Sequence, residues 1–174
     1  MKKILLIVTI LLATLCVYSS IYAAGTVTKS GTAPNITQPN VEVQQAAMTF
    51  SGPLSTSTVK NVSYSFKHYR QCQSPLSGIG GAGTGCSWAN VPVDTYLCGT
   101  SQIGVLYPAS NRTVTDARCT PRLTSLSGST GSFNGMPINN TTRRLRLYYV
   151  FLTYGSGTYN PPLVGQSNSA TVSW

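Results

Sequence analysis

The sequence is poor in charge and has almost no acidic residues. Fifteen of its 174 residues are charged, or 9 %, whereas an average soluble domain has roughly 25 %. The acids are Glu42, Asp94 and Asp116, and His68 is the single histidine. A coiled coil or helical bundle needs Glu, Lys, Leu and Ala in quantity, so the composition excludes both.

The same shortage bears on catalysis. A Ser-His-Asp triad would have to combine His68 with Asp94 or Asp116. No Gly-x-Ser-x-Gly motif is present, and a glycosidase would need two of the three carboxylates. We therefore predict a protein that is not an enzyme and that uses no cofactor.

Residues 1–23 have the pattern of a secretory signal peptide. Lys2 and Lys3 precede an apolar run at residues 4–17, and the segment ends at Ala23. The run is shorter than the ~20 apolar residues of a membrane span, so we expect no transmembrane segment in the mature chain. A lipoprotein signal with Cys16 as the lipidated residue is the alternative. The leader predicts a secreted or cell-surface protein, with the periplasm possible, of bacterial origin.

Four cysteines remain once the leader is removed, namely Cys72, Cys86, Cys98 and Cys119. An even number of cysteines in an exported chain is typical of disulfides, and three pairings are open. We favour Cys72–Cys86 with Cys98–Cys119, because each bond closes a local loop beside a predicted strand. Zinc is disfavoured, since no Cys-x2-Cys pair occurs, and no metal is expected.

The clearest strand signal lies at residues 58–70. Apolar and polar side chains alternate there with a period of two, which a helix cannot use. The alternation places Phe66 and His68 on the apolar face, and Lys67 and Tyr69 on the polar face. His68 is accordingly expected to be a buried, hydrogen-bonded histidine.

Further alternation predicts an all-β fold. Residues 143–154 form the longest candidate, and their second half is apolar on both faces, which indicates a central strand. Shorter strands are expected at residues 41–50, 91–97, 103–107, 113–119 and 170–174. About seven strands with turns between them predict an antiparallel β-sandwich, immunoglobulin-like or fimbrial-like. Residues 24–40 are expected to be a flexible or extended arm before a single domain at residues 41–174.

The basic residues carry the strongest functional signal. Without the leader, ten lysines and arginines face three acids, a formal charge of +7, which favours anionic surfaces. A guanidinium beside an aromatic ring can hold a sulfate, phosphate or carboxylate while the ring stacks on a sugar. The predicted ligand-binding residues are Arg143, Arg144, Arg146, Tyr148, Lys67, Tyr69 and Arg70. The alternative without ligand binding is that these charges lie on a solvated strand end and prevent the strand edge from pairing with another chain.

No single family is matched, but at the level of class the sequence is similar to bacterial fimbrial subunits and surface adhesins in its leader, its Thr, Ser, Gly and Asn content and its alternating residues 170–174. We expect a secreted, non-catalytic binding or adhesive protein whose partner is an anionic glycan, lipopolysaccharide or a host surface. A pilin-like or matrix assembly subunit, a homo-oligomer, is one alternative. A cationic membrane-active toxin or effector is another, and nucleic acid is not expected as a partner.

Overall fold

The structure, a computed structural model, describes residues 25–51, 54, 61–76, 85–100, 117–130 and 144–174. The predicted leader, the strand at residues 103–107, the first part of the strand predicted at 113–119, Asp116 and Arg143 lie outside these ranges. No helix that could cross a membrane is found in the described part.

Every regular element of the described ranges is a β-strand, and every strand pair is antiparallel. The strands are β1 (Thr26–Thr32), β2 (Glu42–Gln44), β3 (Met48–Phe50), β4 (Asn61–Ser65), β5 (Tyr69–Leu76), β6 (Gly85–Val91), β7 (Asp94–Thr100), β8 (Ala117–Cys119), β9 (Ser127–Ser129), β10 (Leu145–Leu152) and β11 (Ser167–Ser173). They form a four-stranded sheet in the order β1-β11-β4-β9, a five-stranded sheet around β10, and the hairpin β5-β6. The all-β antiparallel prediction is confirmed.

Residues 24–40, for which an arm is predicted, supply a strand and a core residue. β1 pairs with β11 along its whole length, from Thr26 opposite Ser173 to Thr32 opposite Ser167. Ile36 follows as a fully buried member of the core and forms a bridge to Leu163. Within residues 25–40, β1 is thus part of the four-stranded sheet, because its pairing partner is the distant C-terminal strand.

The outward face of the four-stranded sheet consists of short hydroxyl side chains in register. Thr28 lies opposite Thr171, Thr171 opposite Ser63, and Ser63 opposite Ser129. Directly opposed residues share a face, so this row crosses all four strands. The Thr28 and Thr171 hydroxyls are hydrogen-bonded at 2.7 Å. Hydroxyl groups rather than charges therefore solvate this face.

β10 is the central strand of the five-stranded sheet, as its apolar second half predicts. It pairs with β7 on one side and with β2 and β3 on the other. The interruption between β2 and β3 falls at Gln45, whose N–H still donates to the Tyr149 carbonyl at 2.9 Å. The predicted strand at residues 41–50 is thus two short strands along one edge of β10.

The core lies between the inward side chains of β10 and those of the four-stranded sheet. Tyr149 and Phe151 on β10 belong to the same buried cluster as Val62 on β4 and Val172 on β11. The Tyr149 hydroxyl also donates toward the backbone carbonyls of β4 and β11, at Ser65 and Ser169. One side chain of β10 therefore contacts two strands of the other sheet.

The strand predicted at residues 58–70 is wrong in one respect, since it is broken at residues 66–68. β4 ends in the four-stranded sheet, and β5 begins the hairpin at Tyr69. The break shifts the alternation, so Tyr69 is 1 % exposed instead of lying on a polar face. Its hydroxyl donates to the Pro34 carbonyl at 2.9 Å, and its ring meets Phe151 edge-on at 5.3 Å.

The favoured disulfide pairing is confirmed. Cys72–Cys86 ties β5 to β6 with the Cα atoms 5.3 Å apart. Cys98–Cys119 joins β7 to β8 between directly opposed residues, with the Cα atoms 4.0 Å apart. Both bonds therefore fasten neighbouring strands of one sheet or hairpin.

Removing the disulfide between β7 and β8 should lower stability. The bond closes a loop of 21 residues, so the double variant Cys98→Ala/Cys119→Ala is expected to lose about 3 kcal/mol of unfolding free energy. Urea denaturation followed by circular dichroism measures the loss. The reduced wild-type protein serves as control, because it should lose at least as much. A change below about 0.5 kcal/mol would contradict the role of this bond.

The buried phenols predict a loss of stability at alkaline pH. Burial raises the pKa of Tyr69 and Tyr149 above the ordinary tyrosine value near 10. Their folded-state pKa exceeds the unfolded value, so their contribution is complete below about pH 10 and is lost as the pH rises further. Tyr149→Phe should cost about 1 kcal/mol at neutral pH and flatten the alkaline decline. Denaturation between about pH 8 and about pH 11 tests this, with exposed Tyr154→Phe as control; equal slopes for both variants would contradict it.

Candidate functional site

The predicted ligand-binding residues of β10 face away from the core. Arg144 and Arg146 are half-buried on the outward side of the five-stranded sheet. Tyr148, on the same side, is buried in a small cluster with Cys98 and Val150. Its ring is therefore covered rather than available for stacking on a sugar.

The second predicted group is divided by the break at residues 66–68. Lys67 and Arg70 are exposed, whereas Tyr69 lies in the core. This group lies at the start of the β5-β6 hairpin, while Arg146 is on β10 in the five-stranded sheet and Arg144 directly precedes that strand. Of the six predicted residues that the structure describes, Tyr69 and Tyr148 are buried, so these six do not form one exposed aromatic and basic patch.

Arg70 instead has an aromatic neighbour that the sequence analysis missed. Its guanidinium carbon lies 5.5 Å from the ring centroid of Trp88, which is 41 % exposed on β6. Trp88 is directly opposite Cys72, two residues beyond Arg70, so both side chains lie on the same face of the hairpin. The only local signal for this tryptophan is its position two residues after Cys86, in a glycine-rich stretch without alternation.

The backbone around Arg70 is held from both sides. Its N–H donates to the Val164 carbonyl at 3.3 Å, and its own carbonyl accepts from the Val164 N–H at 2.7 Å. The next residue, Gln71, donates its side-chain amide to the Pro161 carbonyl at 3.0 Å. The Cys72–Cys86 disulfide fixes the hairpin beyond it. The Arg70–Trp88 pair thus projects from a supported backbone.

The Arg70–Trp88 pair has the chemical groups to bind a ligand that carries an anionic group next to a sugar ring. A guanidinium that stacks by its face on an indole keeps its edge N–H groups free for bidentate contact with a carboxylate or sulfate. The indole adds the flat apolar surface on which sugar rings stack. The exposed Arg70–Trp88 pair places a guanidinium and an indole side by side.

A cleft of about 520 Å³ lies where the break, the β6-β7 connection and the loop before β9 meet. Phe66 and Leu163 are buried side chains that line it, and His68, Asp94, Arg122 and Tyr154 supply polar groups. Arg122 donates to the Asp94 carboxylate at 3.2 Å. The cleft therefore combines apolar surface with an ion pair.

His68 lines this cleft and is half-buried, which corrects the expectation of a histidine buried in the core. Asp94 lines the same cleft, but its carboxylate pairs with Arg122. Glu42 accepts a hydrogen bond from the side chain of Gln44 at 3.3 Å. Among the described residues, no group of three His, Cys, Asp or Glu side chains could hold a metal ion.

Comparison with known proteins gives a likeness of fold. No protein-family model matches the chain, and no curated protein matches it in sequence. The crystal structure of FlhE is similar to it. The TM-score is 0.50 with 21 % sequence identity, over 88 % of this chain and 98 % of FlhE. At this identity the likeness shows a shared fold, and no residue role is carried over from it.

Proposed function

We propose that the chain is an extracytoplasmic, non-catalytic binding protein that attaches to an anionic glycan through the Arg70–Trp88 pair. The proposal rests on the exposed Arg70 guanidinium, which lies over the exposed Trp88 ring at 5.5 Å, on a hairpin tied by a disulfide. The proposal includes export after cleavage of residues 1–23, to the cell surface or the medium.

The disulfides and the charge support this location and partner. Two disulfides in a chain of this size are typical of oxidising, extracytoplasmic compartments. The charge of +7 outside the predicted leader attracts anionic polymers over a distance set by ionic strength. This long-range attraction would bring an anionic glycan to the protein surface. Arg70 and Trp88 would then bind it at a defined site.

We further propose that the two large sheets form a β-sandwich of the immunoglobulin or fimbrial type. Support comes from the shared core, in which Leu147 and Phe151 of one sheet pack in one cluster with Val62 and Ala170 of the other. A sandwich of this kind holds hairpins and loops at fixed positions, which suits binding.

The contact residues we propose differ from the sequence-based set. Lys67 and Arg70 remain, Trp88 joins them as the stacking ring, and Tyr69 is a core residue. Arg144 and Arg146 would add long-range attraction. The absence of catalysis remains part of the proposal, supported by Asp94 being engaged with Arg122.

Heparin affinity chromatography tests the proposal. Trp88→Ala leaves the net charge unchanged but removes the stacking surface, so we expect about fivefold weaker binding and elution at lower salt. Arg70→Gln should lower the elution salt further, because it removes the bidentate donor as well as a charge.

The matched control is Arg146→Gln, which removes the same charge elsewhere. If Arg70→Gln and Arg146→Gln shift elution equally and Trp88→Ala shifts nothing, binding depends on net charge alone and the Arg70–Trp88 site is rejected.

A structural assembly subunit is the second candidate. Within the described ranges β1 pairs on one side only, with β11, and an open strand edge can pair with another chain. Lys29 is the single charge on this strand. Ser30→Lys should dissociate any assembly that uses this edge, because two adjacent charges disfavour strand addition. Sedimentation velocity would show it, and a wild-type monomer at high concentration would contradict assembly.

A further inference from the structure

The cleft that contains the Asp94–Arg122 ion pair has the volume of a small-molecule site. Its volume of about 520 Å³ falls within the range of ordinary ligand pockets, roughly 300–1,000 Å³. It is separate from the Arg70–Trp88 pair, since neither residue lines it. We refer to it below as the Asp94–Arg122 cleft.

The charges that line this cleft cancel. The side chain of Arg122 is 59 % exposed and that of Asp94 is 25 % exposed, so the pair is open to a ligand. Their contact joins one guanidinium nitrogen to one carboxylate oxygen, which leaves further N–H donors and a second acceptor oxygen. An uncharged ligand whose groups both donate and accept, such as a set of hydroxyls, satisfies both partners without separating them.

Aromatic and apolar surface faces the same space. Tyr154 is 63 % exposed, and its backbone is held by a hydrogen bond from the Tyr159 hydroxyl to its carbonyl at 3.1 Å. The half-buried side chains of Val93, Leu123 and Leu152 line the cleft with apolar groups, in front of the buried Phe66 and Leu163. A pyranose ring has one face of C–H groups and a rim of hydroxyls, and this is the combination that the cleft matches.

A peptide strand fits the same space less well. Strand addition needs unpaired backbone groups along the binding surface. In the walls of this cleft the N–H of Leu123 donates to Thr95, that of Thr153 to Val41, and that of Tyr159 to Thr37. These three N–H groups are therefore not available to pair with a peptide strand.

We infer that the Asp94–Arg122 cleft binds an uncharged sugar unit, with the ring against Tyr154 and the hydroxyls on the ion pair. The inference goes beyond the anionic site at Arg70–Trp88 and does not depend on it. The ligand at one site is charged and at the other neutral, so their salt dependence separates them.

Isothermal titration with three uncharged trisaccharides, namely chitotriose, cellotriose and maltotriose, provides the test on the mature protein. At least one should bind, with the same affinity at low and high salt because the ligand carries no charge. Tyr154→Ala should weaken binding about tenfold, since it removes the stacking surface. Asp94→Asn should also weaken it about tenfold, because it removes the carboxylate that pairs with Arg122 and accepts hydrogen bonds from the sugar hydroxyls.

Trp88→Ala is the matched control, an exposed aromatic removed from the other site, and it should leave trisaccharide binding unchanged. The exposed position of Tyr154 makes its replacement compatible with folding, so Tyr154→Ala decides the matter even if Asp94→Asn fails to fold. Binding of none of the three sugars, or binding that Tyr154→Ala leaves intact, would overturn the inference. Loss of binding in Trp88→Ala would overturn it as well, because both ligands would then share one site.

Discussion

Burial of β10 on both faces is the constraint on which the rest of the structure depends. Its inward side chains, among them Tyr149 and Phe151, pack in the main core, and its outward Tyr148 and Val150 fill a second cluster with Cys98. A strand that is buried on both faces needs hydrogen-bonding partners for its backbone on both edges. β7 provides one edge, and the short strands β2 and β3 provide the other.

The two candidate sites follow from where the chain changes sheets. Between β4 and β5 it leaves the four-stranded sheet, and residues 66–68 span the change. Phe66 and His68 consequently line the cleft, while Arg70 begins its strand on the hairpin. β7, held beside β10, brings Asp94 to the same cleft. The break that sends Tyr69 into the core thus positions both sites.

The fold accounts for the small number of charged residues. Hydroxyls in register, such as the row through Thr28, Thr171 and Ser63, cover the outward face of the four-stranded sheet. Hydroxyl groups are enough to solvate that face. The few charged side chains are therefore not needed there and lie at other positions. Two of them have a defined neighbour: Arg70 lies over the Trp88 indole, and Arg122 pairs with Asp94. Each is paired with one neighbour rather than spread over the surface.

The sequence by itself determined the features that local physics controls. Period-two alternation indicated strands, two apolar faces identified β10 as central, and short loops between cysteines favoured the observed disulfides. Only the tertiary structure decided which residues meet across long separations: β1 with β11, and Arg70 with Trp88. Alternation predicts which residues share one face of a strand, but it does not predict which sheet buries that face. The three-residue break at 66–68 also changes which side chains after it point to the core. This is the physical reason why the sequence predicts Tyr69 on the polar face whereas the fold buries it in the core.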